Sequence, residues 1–409
     1  MSDALRRWLI MNMMSYTIFV YVGIFINLFI WEKNRLIFEV AWYNLILYVS
    51  WAFAFAFAAY LLSKTTIRTL LAVSAVAGAG AFVILTFLEL DNRMLWIACI
   101  GVPVGIMYGF FSSAQNLSVS MSGTSAELGR YFSTAGSIQQ VVTLAVPLLS
   151  AIIIAYAGYF GTSILMLVFL LGMLAFSFLM PKISLNVEGG EADRPSMLCW
   201  LWRQLRRKPG LRWHSAANLA AGVFLQFQQL FLLVFTFSVT ENKFWIAGLN
   251  GLYTLATLGG LYVYRRYALK DFTLLFVGCV LVTCGFLIVL FPAKPVLIVS
   301  NLLTAVGMFC VIAAWNTLQF KWIKTFKERE QANLLVWRET LICVTRIGTL
   351  LIVLSVDDIR GGMFIALIVV ALFSLLALPY FEYRARKIGQ REKAHRDEAS
   401  NMREQAGNV

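Results

Sequence analysis

The sequence predicts an all-α membrane protein that crosses the bilayer many times, and three observations support this fold class. Hydrophobic residues make up 60% of the 409 residues and charged residues 13%, against about 45–50% and 25% in soluble globular proteins. The apolar residues are gathered into twelve runs, and a helix needs about 20 residues to cross the hydrocarbon. The net charge is +13, and most of the basic residues lie between the apolar runs.

The runs themselves indicate helices rather than strands. They lie near residues 12–31, 36–62, 66–88, 94–115, 131–157, 159–181, 213–238, 243–264, 272–291, 295–319, 332–354 and 361–380. Backbone groups in hydrocarbon must be hydrogen-bonded internally, so each run is a helix or part of a closed barrel. Residues 51–57 alternate as a strand would, but their apolar run is much longer than the roughly 10 residues of a barrel strand. We therefore predict twelve transmembrane helices, numbered here in chain order.

Lys and Arg predict the orientation, since they concentrate on the cytoplasmic side. With the N-terminus inside, 26 of the 34 Lys and Arg fall in cytoplasmic segments, six fall in outer loops, and Arg338 and Arg346 fall inside a span. Both termini are therefore predicted to be cytoplasmic, in an integral protein of the cytoplasmic (plasma) membrane.

The longest internal polar stretch divides the chain into two halves. Residues 1–181 are predicted to form an N-terminal six-helix bundle and residues 211–380 a C-terminal one. Residues 182–210 form a basic cytoplasmic linker between them, and residues 381–409 form a charged cytoplasmic tail.

Local motifs in the two halves resemble those of a known protein family. Residues 259–270 begin with two glycines and contain Arg265 and Arg266. This segment is similar to the loop between helices 8 and 9 of the major facilitator superfamily. The equivalent loop after helix 2 has Ser63 where that family usually has Asp, and Pro147 in helix 5 resembles part of the glycine–proline motif of its antiporters. The sequence thus resembles this superfamily over nearly its whole length.

The resemblance implies a secondary active transporter that works by alternating access. In such folds the central cavity is lined by helices 1, 4, 7 and 10, and helices 2, 5, 8 and 11 lie along the interface between the halves. We expect a carrier for a small organic solute, with or without proton coupling. The alternatives are a flippase-like exporter of amphiphiles, lipids or drugs, and a non-transporting receptor or scaffold. An enzyme is not expected, because the spans hold no Asp and no deep His for the chemistry of an activated nucleophile.

Helix 11 carries the ionisable residues that lie within a span. Such groups are costly in hydrocarbon and are candidates for function. Glu339 and Arg346 are seven residues apart and therefore share a helix face. One interpretation is a structural ion pair that holds helix 11 to its neighbours. The other is an anion-binding Arg346 beside a titratable Glu339, with Arg338 as a further candidate.

Uncharged polar residues form stripes on the helices that would line the cavity. They suit an uncharged or amphiphilic solute, although amides also hold helices together in lipid. The substrate-binding candidates are Asn218, Gln226 and Gln229 on helix 7, Asn301, Trp315 and Asn316 on helix 10, and Tyr16 and Asn27 on helix 1.

Charged residues near the span ends are candidates for gating. Glu39 begins helix 2, where it either complements the helix dipole or forms an outer gate with Arg346. Glu127 and Arg130 form either an inner latch or a plain surface pair, and Arg265 and Arg266 lie in the loop motif. Gly101, Gly105 and Gly109 predict close packing of helix 4, and we interpret His214 as a simple interface histidine.

We expect a small-molecule substrate, membrane lipid and, in the coupled case, protons as the partners of this protein. Neither nucleic acid nor a cofactor is expected. The six cysteines form no CxxC motif, so a metal site is not predicted either. The chain is expected to be monomeric.

Overall fold

The structure, a computed structural model, is helical throughout the part of the chain that it describes. The described residues are 3–62, 64–88, 90–121, 125–184, 203–206, 208–239, 242–267, 270–289, 293–326, 328–356 and 361–407. Most of the predicted linker 182–210 therefore lies outside them.

Six helices form the first half of the chain. They are α1 (Asp3–Asn34, with a π-helical turn at Val22–Ile26), α2 (Ile37–Leu61), α3 (Ile67–Phe87), α4 (Arg93–Met121), and α5 and α6 within the continuous segment Ser125–Ser177. Gly158 separates α5 from α6, because its φ of 64° and ψ of −172° interrupt the helix. Glycine adopts this positive φ without a steric penalty.

The second half contains six further helices. They are α7 (Pro209–Val239), α8 (Lys243–Tyr267), α9 (Asp271–Ile288), α10 (Lys294–Ile323), α11 (Glu328–Val353) and α12 (Gly362–Gly407). The helical prediction for the apolar runs is confirmed. The last helix contains Pro379 and continues far beyond the predicted end of the final span.

Most of these helices have the properties of membrane spans. Among the described residues, nine helical segments are long and apolar enough to cross a membrane. One of them, Thr134–Ser177, includes parts of both α5 and α6. The helices outside this set are α8 and α11, and α11 carries Arg338, Glu339 and Arg346. The protein is therefore an integral membrane protein whose most polar span is α11.

In the part of the chain that the structure describes, the two halves meet mainly through two pairs of helices, as the resemblance implies. Helix α2 packs against α11, and the segment of α5 and α6 packs against α8. In the second contact, Gly251 of α8 lies next to Leu144 of α5. The remaining extensive packing joins helices of the same half, such as α2 with α4 and α7 with α12.

The predicted close packing of α4 is confirmed, and its partner is α2. A Cβ atom added to Gly105 would overlap the Leu47 carbonyl oxygen and lie 2.6 Å from Ser50 Cβ. A Cβ atom on Gly109 would lie 2.6 Å from Ala54 Cβ. Because the two backbones touch here, α4 fixes the position of the α2 residues that face the second half.

We expect Gly105→Ala to lower the free energy of unfolding by about 1–3 kcal/mol, the usual cost of overpacking. The matched control is Gly80→Ala in α3, whose added Cβ would meet no atom within 4 Å. That change should leave stability unaltered or raise it by up to about 1 kcal/mol through helix propensity. Thermal unfolding of the detergent-purified variants measures both effects, and equal midpoints would contradict the packing described here.

Candidate functional site

Arg346 of α11 lies where side chains from both halves share polar contacts. Its Nη1 donates to the Tyr48 hydroxyl of α2 and lies 3.5 Å from Gln229 Oε1 of α7. The Tyr48 hydroxyl donates in turn to Gln229 Oε1 over 2.8 Å. The guanidinium also lies 4.7 Å from the centroid of the Tyr48 ring, within the range of a cation–π contact. These three side chains, the Arg346 cluster, connect α2 of the first half to α7 and α11 of the second.

The positive charge of Arg346 has no acidic partner within the described part of the chain. Among the described side chains, no carboxylate lies within 4.0 Å of it. Glu339 pairs instead with its neighbour Arg338, at 2.9 Å. The predicted contact between Glu339 and Arg346 is therefore wrong, because seven residues of helix separate the two Cα atoms by about 10.5 Å along the axis.

A stack of aromatic rings continues from the Arg346 cluster into the first half. The Tyr48 and Trp51 rings are stacked at 5.6 Å, Trp51 and Tyr108 at 5.1 Å, and Tyr108 and Phe19 at 4.3 Å. These four residues, the aromatic stack, come from α2, α4 and α1. Its members are absent from the binding candidates predicted above, because an aromatic residue in an apolar run is also typical of a lipid-facing position.

Several buried polar atoms on α2, α7, α10 and α11 have no hydrogen-bond partner among the described residues. They include both amide atoms of Gln226 and the side-chain nitrogens Trp51 Nε1, Trp315 Nε1, Arg338 Nε and Arg346 Nε, together with Asn218 Oδ1. Gln226 is only 1% exposed and lies one turn before Gln229 on α7. Leaving such an atom unsatisfied costs about 1–3 kcal/mol. A concentration of them is expected where a ligand or water binds.

A second charged group lies between α10 and α11. Arg338 donates to Glu339 through Nη1 and to Asn316 Oδ1 through Nη2. Its guanidinium lies 4.7 Å from the centroid of the Trp315 ring. The structure thus brings four of the predicted candidates together within the second half.

Other predicted binding residues hold helices of the same half together. Asn27 Oδ1 accepts a bond of 2.9 Å from Asn44, which joins α1 to α2. Tyr16 is hydrogen-bonded to Gln115 of α4. Asn301 of α10 donates to hydroxyls of α7 and α8, over 3.2 Å in each case. These contacts are those of helix packing.

The hypothesised outer gate between Glu39 and Arg346 is not formed. The Glu39 carboxylate lies 2.7 Å from Arg93 Nη2 at the start of α4, and it accepts a bond of 2.5 Å from Asn34. Arg346 contacts Tyr48, which lies nine residues further along α2 and therefore about 13.5 Å deeper. The N-terminal end of α2 is thus joined to its own half.

The remaining gating candidates lie at the predicted cytoplasmic end. The side chains of Glu127, Arg130 and Arg265 are outside the described residues. Arg266 is exposed and donates to the Tyr262 hydroxyl over 3.0 Å. This contact joins two residues of the same helix.

A buried ionisable cluster, missed from the sequence, joins α7, α10 and α12. Glu382 Oε1 accepts a bond of 2.5 Å from Gln319, and Glu382 Oε2 lies 3.5 Å from His214 Nδ1. The His214 ring also packs against Trp322, with the centroids 4.0 Å apart. His214 and Glu382 are 4% and 3% exposed. His214 is therefore part of a buried cluster of polar side chains rather than a simple interface residue.

We expect Glu382→Ala to lower the free energy of unfolding by about 1–3 kcal/mol, because it removes the buried carboxylate that accepts from the Gln319 amide and lies beside His214. Glu382→Gln retains a carbonyl oxygen for that bond and should cost less. The comparison is made by thermal unfolding. Equal losses for the two variants would show that the hydrogen bond is not the source of the stabilisation.

Solved structures of transporters share this fold along almost the whole chain. The nucleoside transporter NupG is 11% identical, with a TM-score of 0.61 over 95% of this chain and 99% of that one. An auto-inhibited POT family peptide transporter is 12% identical, with a TM-score of 0.68 over 94% and 97% of the two chains. A bacterial homologue of the iron transporter ferroportin, in its inward-facing state, is 12% identical, with a TM-score of 0.66 over 94% and 99%.

No protein-family profile matches the sequence, and none of the curated proteins does. At these identities the similarity to solved structures establishes the fold. The predicted all-α fold of two six-helix bundles is thereby confirmed.

Proposed function

We propose that the protein is a secondary transporter that moves a small organic solute across the cytoplasmic membrane by alternating access. The observation that carries the proposal is the Arg346 cluster, in which α2, α7 and α11 share polar contacts between the halves. In transporters built from structural repeats, the solute binds near the bilayer midplane at the interface between the repeats. The transporter names of the similar structures support the same class of function.

The contacts of Arg346 suggest how binding affects the two halves. A solute that bonds to Arg346 competes with Tyr48 of the first half and Gln229 of the second. Binding thereby replaces a contact between the two halves with a contact between Arg346 and the solute. A ligand shifts a conformational equilibrium only by its differential affinity for the two states, and this exchange supplies such a difference.

Proton coupling forms a separate part of the proposal, with Glu339 as the coupling group. Its carboxylate is bonded to Arg338, which also bonds Asn316 of α10. Protonation of Glu339 would leave Arg338 without its counter-charge and would favour rearrangement between α10 and α11.

We further propose that the protein is a monomer with both termini in the cytoplasm. In this proposal residues 182–210 connect the bundle of residues 1–181 to the bundle of residues 211–380.

Uptake into proteoliposomes tests the proposal. Nucleosides, dipeptides, organic acids and amphiphilic cations are supplied with and without an imposed pH gradient. We expect at least one solute to accumulate with the unaltered protein and with the control Arg6→Ala, whose side chain is exposed, but not with Arg346→Ala. Glu339→Gln should remove acceleration by the gradient. Transport of amphiphiles alone would favour the alternative of an exporter. Binding of a solute without transport of any would favour a receptor.

A further inference from the structure

We infer that the Arg346 cluster takes a small planar organic anion, whose acid group binds Arg346 while its ring packs against the aromatic stack. The inference rests on the proposed function and names the substrate class of its site. Two observations carry it: an arginine without an acidic partner, and a column of parallel rings that ends beside that arginine.

Comparison with Arg93 and Arg338 shows what Arg346 lacks. Arg93 pairs with Glu39 at 2.7 Å, and Arg338 pairs with Glu339 at 2.9 Å. Arg346 is half-buried, and its described neighbours supply a hydroxyl, an amide oxygen and a ring face instead of a carboxylate. Removing a charge from water without a counter-charge is costly. A bound anion would provide the missing charge.

The free hydrogen-bond donors around this charge fit an acid group. Arg346 Nε and Trp51 Nε1 are buried donors without acceptors, and the Gln226 amide has no partner either. An ionised carboxylate has no donor and accepts several bonds through its two oxygens. The planar fork of a guanidinium matches that geometry. A neutral amide of the same shape would bring an NH₂ group towards these donors.

The aromatic stack supplies the other contribution to specificity, which is recognition of the solute's ring. The Tyr48 and Trp51 planes are within 18° of parallel, and those of Trp51 and Tyr108 within 14°. Trp51 and Tyr108 are partly exposed although they lie inside the span. Each is stacked between two other rings, so the surface left to a solute is at the ring edges. A flat ring on the solute would pack edge-to-face against them, an arrangement that aromatic pairs prefer. An acid without a ring would bind through its contact with the Arg346 charge alone.

Matched pairs of acids and amides test the inference on the full-length protein in detergent. The probes are benzoate with benzamide, indole-3-acetate with indole-3-acetamide, and acetate as an acid without a ring. Binding is measured by thermal shift and by isothermal titration. We expect each ring acid to bind about 10- to 100-fold more tightly than its amide, and acetate to bind more weakly than either ring acid.

Two variants separate the contributions of charge and ring. Arg346→Gln should abolish the preference for acid over amide, whereas the control Arg6→Gln, at an exposed position, should retain it. Trp51→Leu should weaken the ring acids by about 2- to 10-fold, the usual range for one aromatic pair, while the acid still binds better than its amide.

Three results would overturn the inference: no binding by any ring acid, equal binding of acids and amides, or a preference that survives Arg346→Gln. The proposed function fails differently. Transport of neutral solutes that depends on Arg346 would retain the transporter and reject the anionic substrate. Tight binding of ring acids without transport of any solute would retain the anion site and reject the transporter.

Discussion

Replacing Arg93 with Ala should lower the free energy of unfolding by about 3–5 kcal/mol, the usual cost of removing one partner of a buried ion pair. The side chain of Glu39 is 5% exposed, and both of its oxygens accept from Arg93 Nε at 2.9 Å. Without Arg93, the described side chains leave Asn34 as the partner of the buried carboxylate. Thermal and denaturant unfolding of the purified variant measure the loss.

A double-mutant cycle identifies the pair as the cause of this loss. Removing both charges in the variant Glu39→Ala, Arg93→Ala should recover much of the stability, because no uncompensated buried charge remains. Asp3→Ala is the control, since it breaks an exposed pair with Arg6, and such pairs contribute about 0–1 kcal/mol. An Arg93→Ala loss no larger than that of Asp3→Ala would contradict the buried pairing.

Replacing Arg346 with Ala should have the largest effect on transport. We expect the KM of the transported solute to rise by about 10- to 100-fold, which corresponds to the loss of hydrogen bonds to a charged group. Arg346→Lys should restore part of the affinity, because lysine keeps the charge but loses the planar fork. Initial rates of proteoliposome uptake over a range of solute concentrations measure these changes.

Tyr48→Phe serves as the matched control for Arg346→Ala. It removes the hydroxyl that accepts from Arg346 and donates to Gln229, but it keeps the ring and the charge. We therefore expect a smaller rise in KM than for Arg346→Ala. A larger effect from the tyrosine would show that this hydroxyl, rather than the guanidinium, is the main solute contact.

The sequence was sufficient to predict the helices and to single out the charged residues of α11. Apolar runs predicted the helices, and the spacing of Gly105 and Gly109 predicted close packing, although not that the partner is α2. The cost of charge in hydrocarbon identified Arg338, Glu339 and Arg346 as unusual. These predictions depend on local composition and period, which a single sequence contains.

Side-chain partners could not be predicted in the same way. Sharing a helix face suggested that Glu339 pairs with Arg346, but the axial separation and the nearby Tyr48 hydroxyl favour other contacts. Trp51 stacks between Tyr48 and Tyr108, and an apolar run does not specify which of its aromatic residues do so. Glu382 was missed because α12 continues past Pro379, where the last predicted span ends.

The most direct test of alternating access about the Arg346 cluster is a pair of distances measured by double electron–electron resonance. Spin labels are placed at exposed positions of the two halves, in a background without native cysteines: Leu36 with Phe244 at the predicted outer end, and Tyr60 with Tyr262 at the predicted cytoplasmic end. We expect saturating solute to lengthen one distance and shorten the other. Distances that both remain unchanged, or both change in the same direction, would contradict the rocking of two halves about a central site.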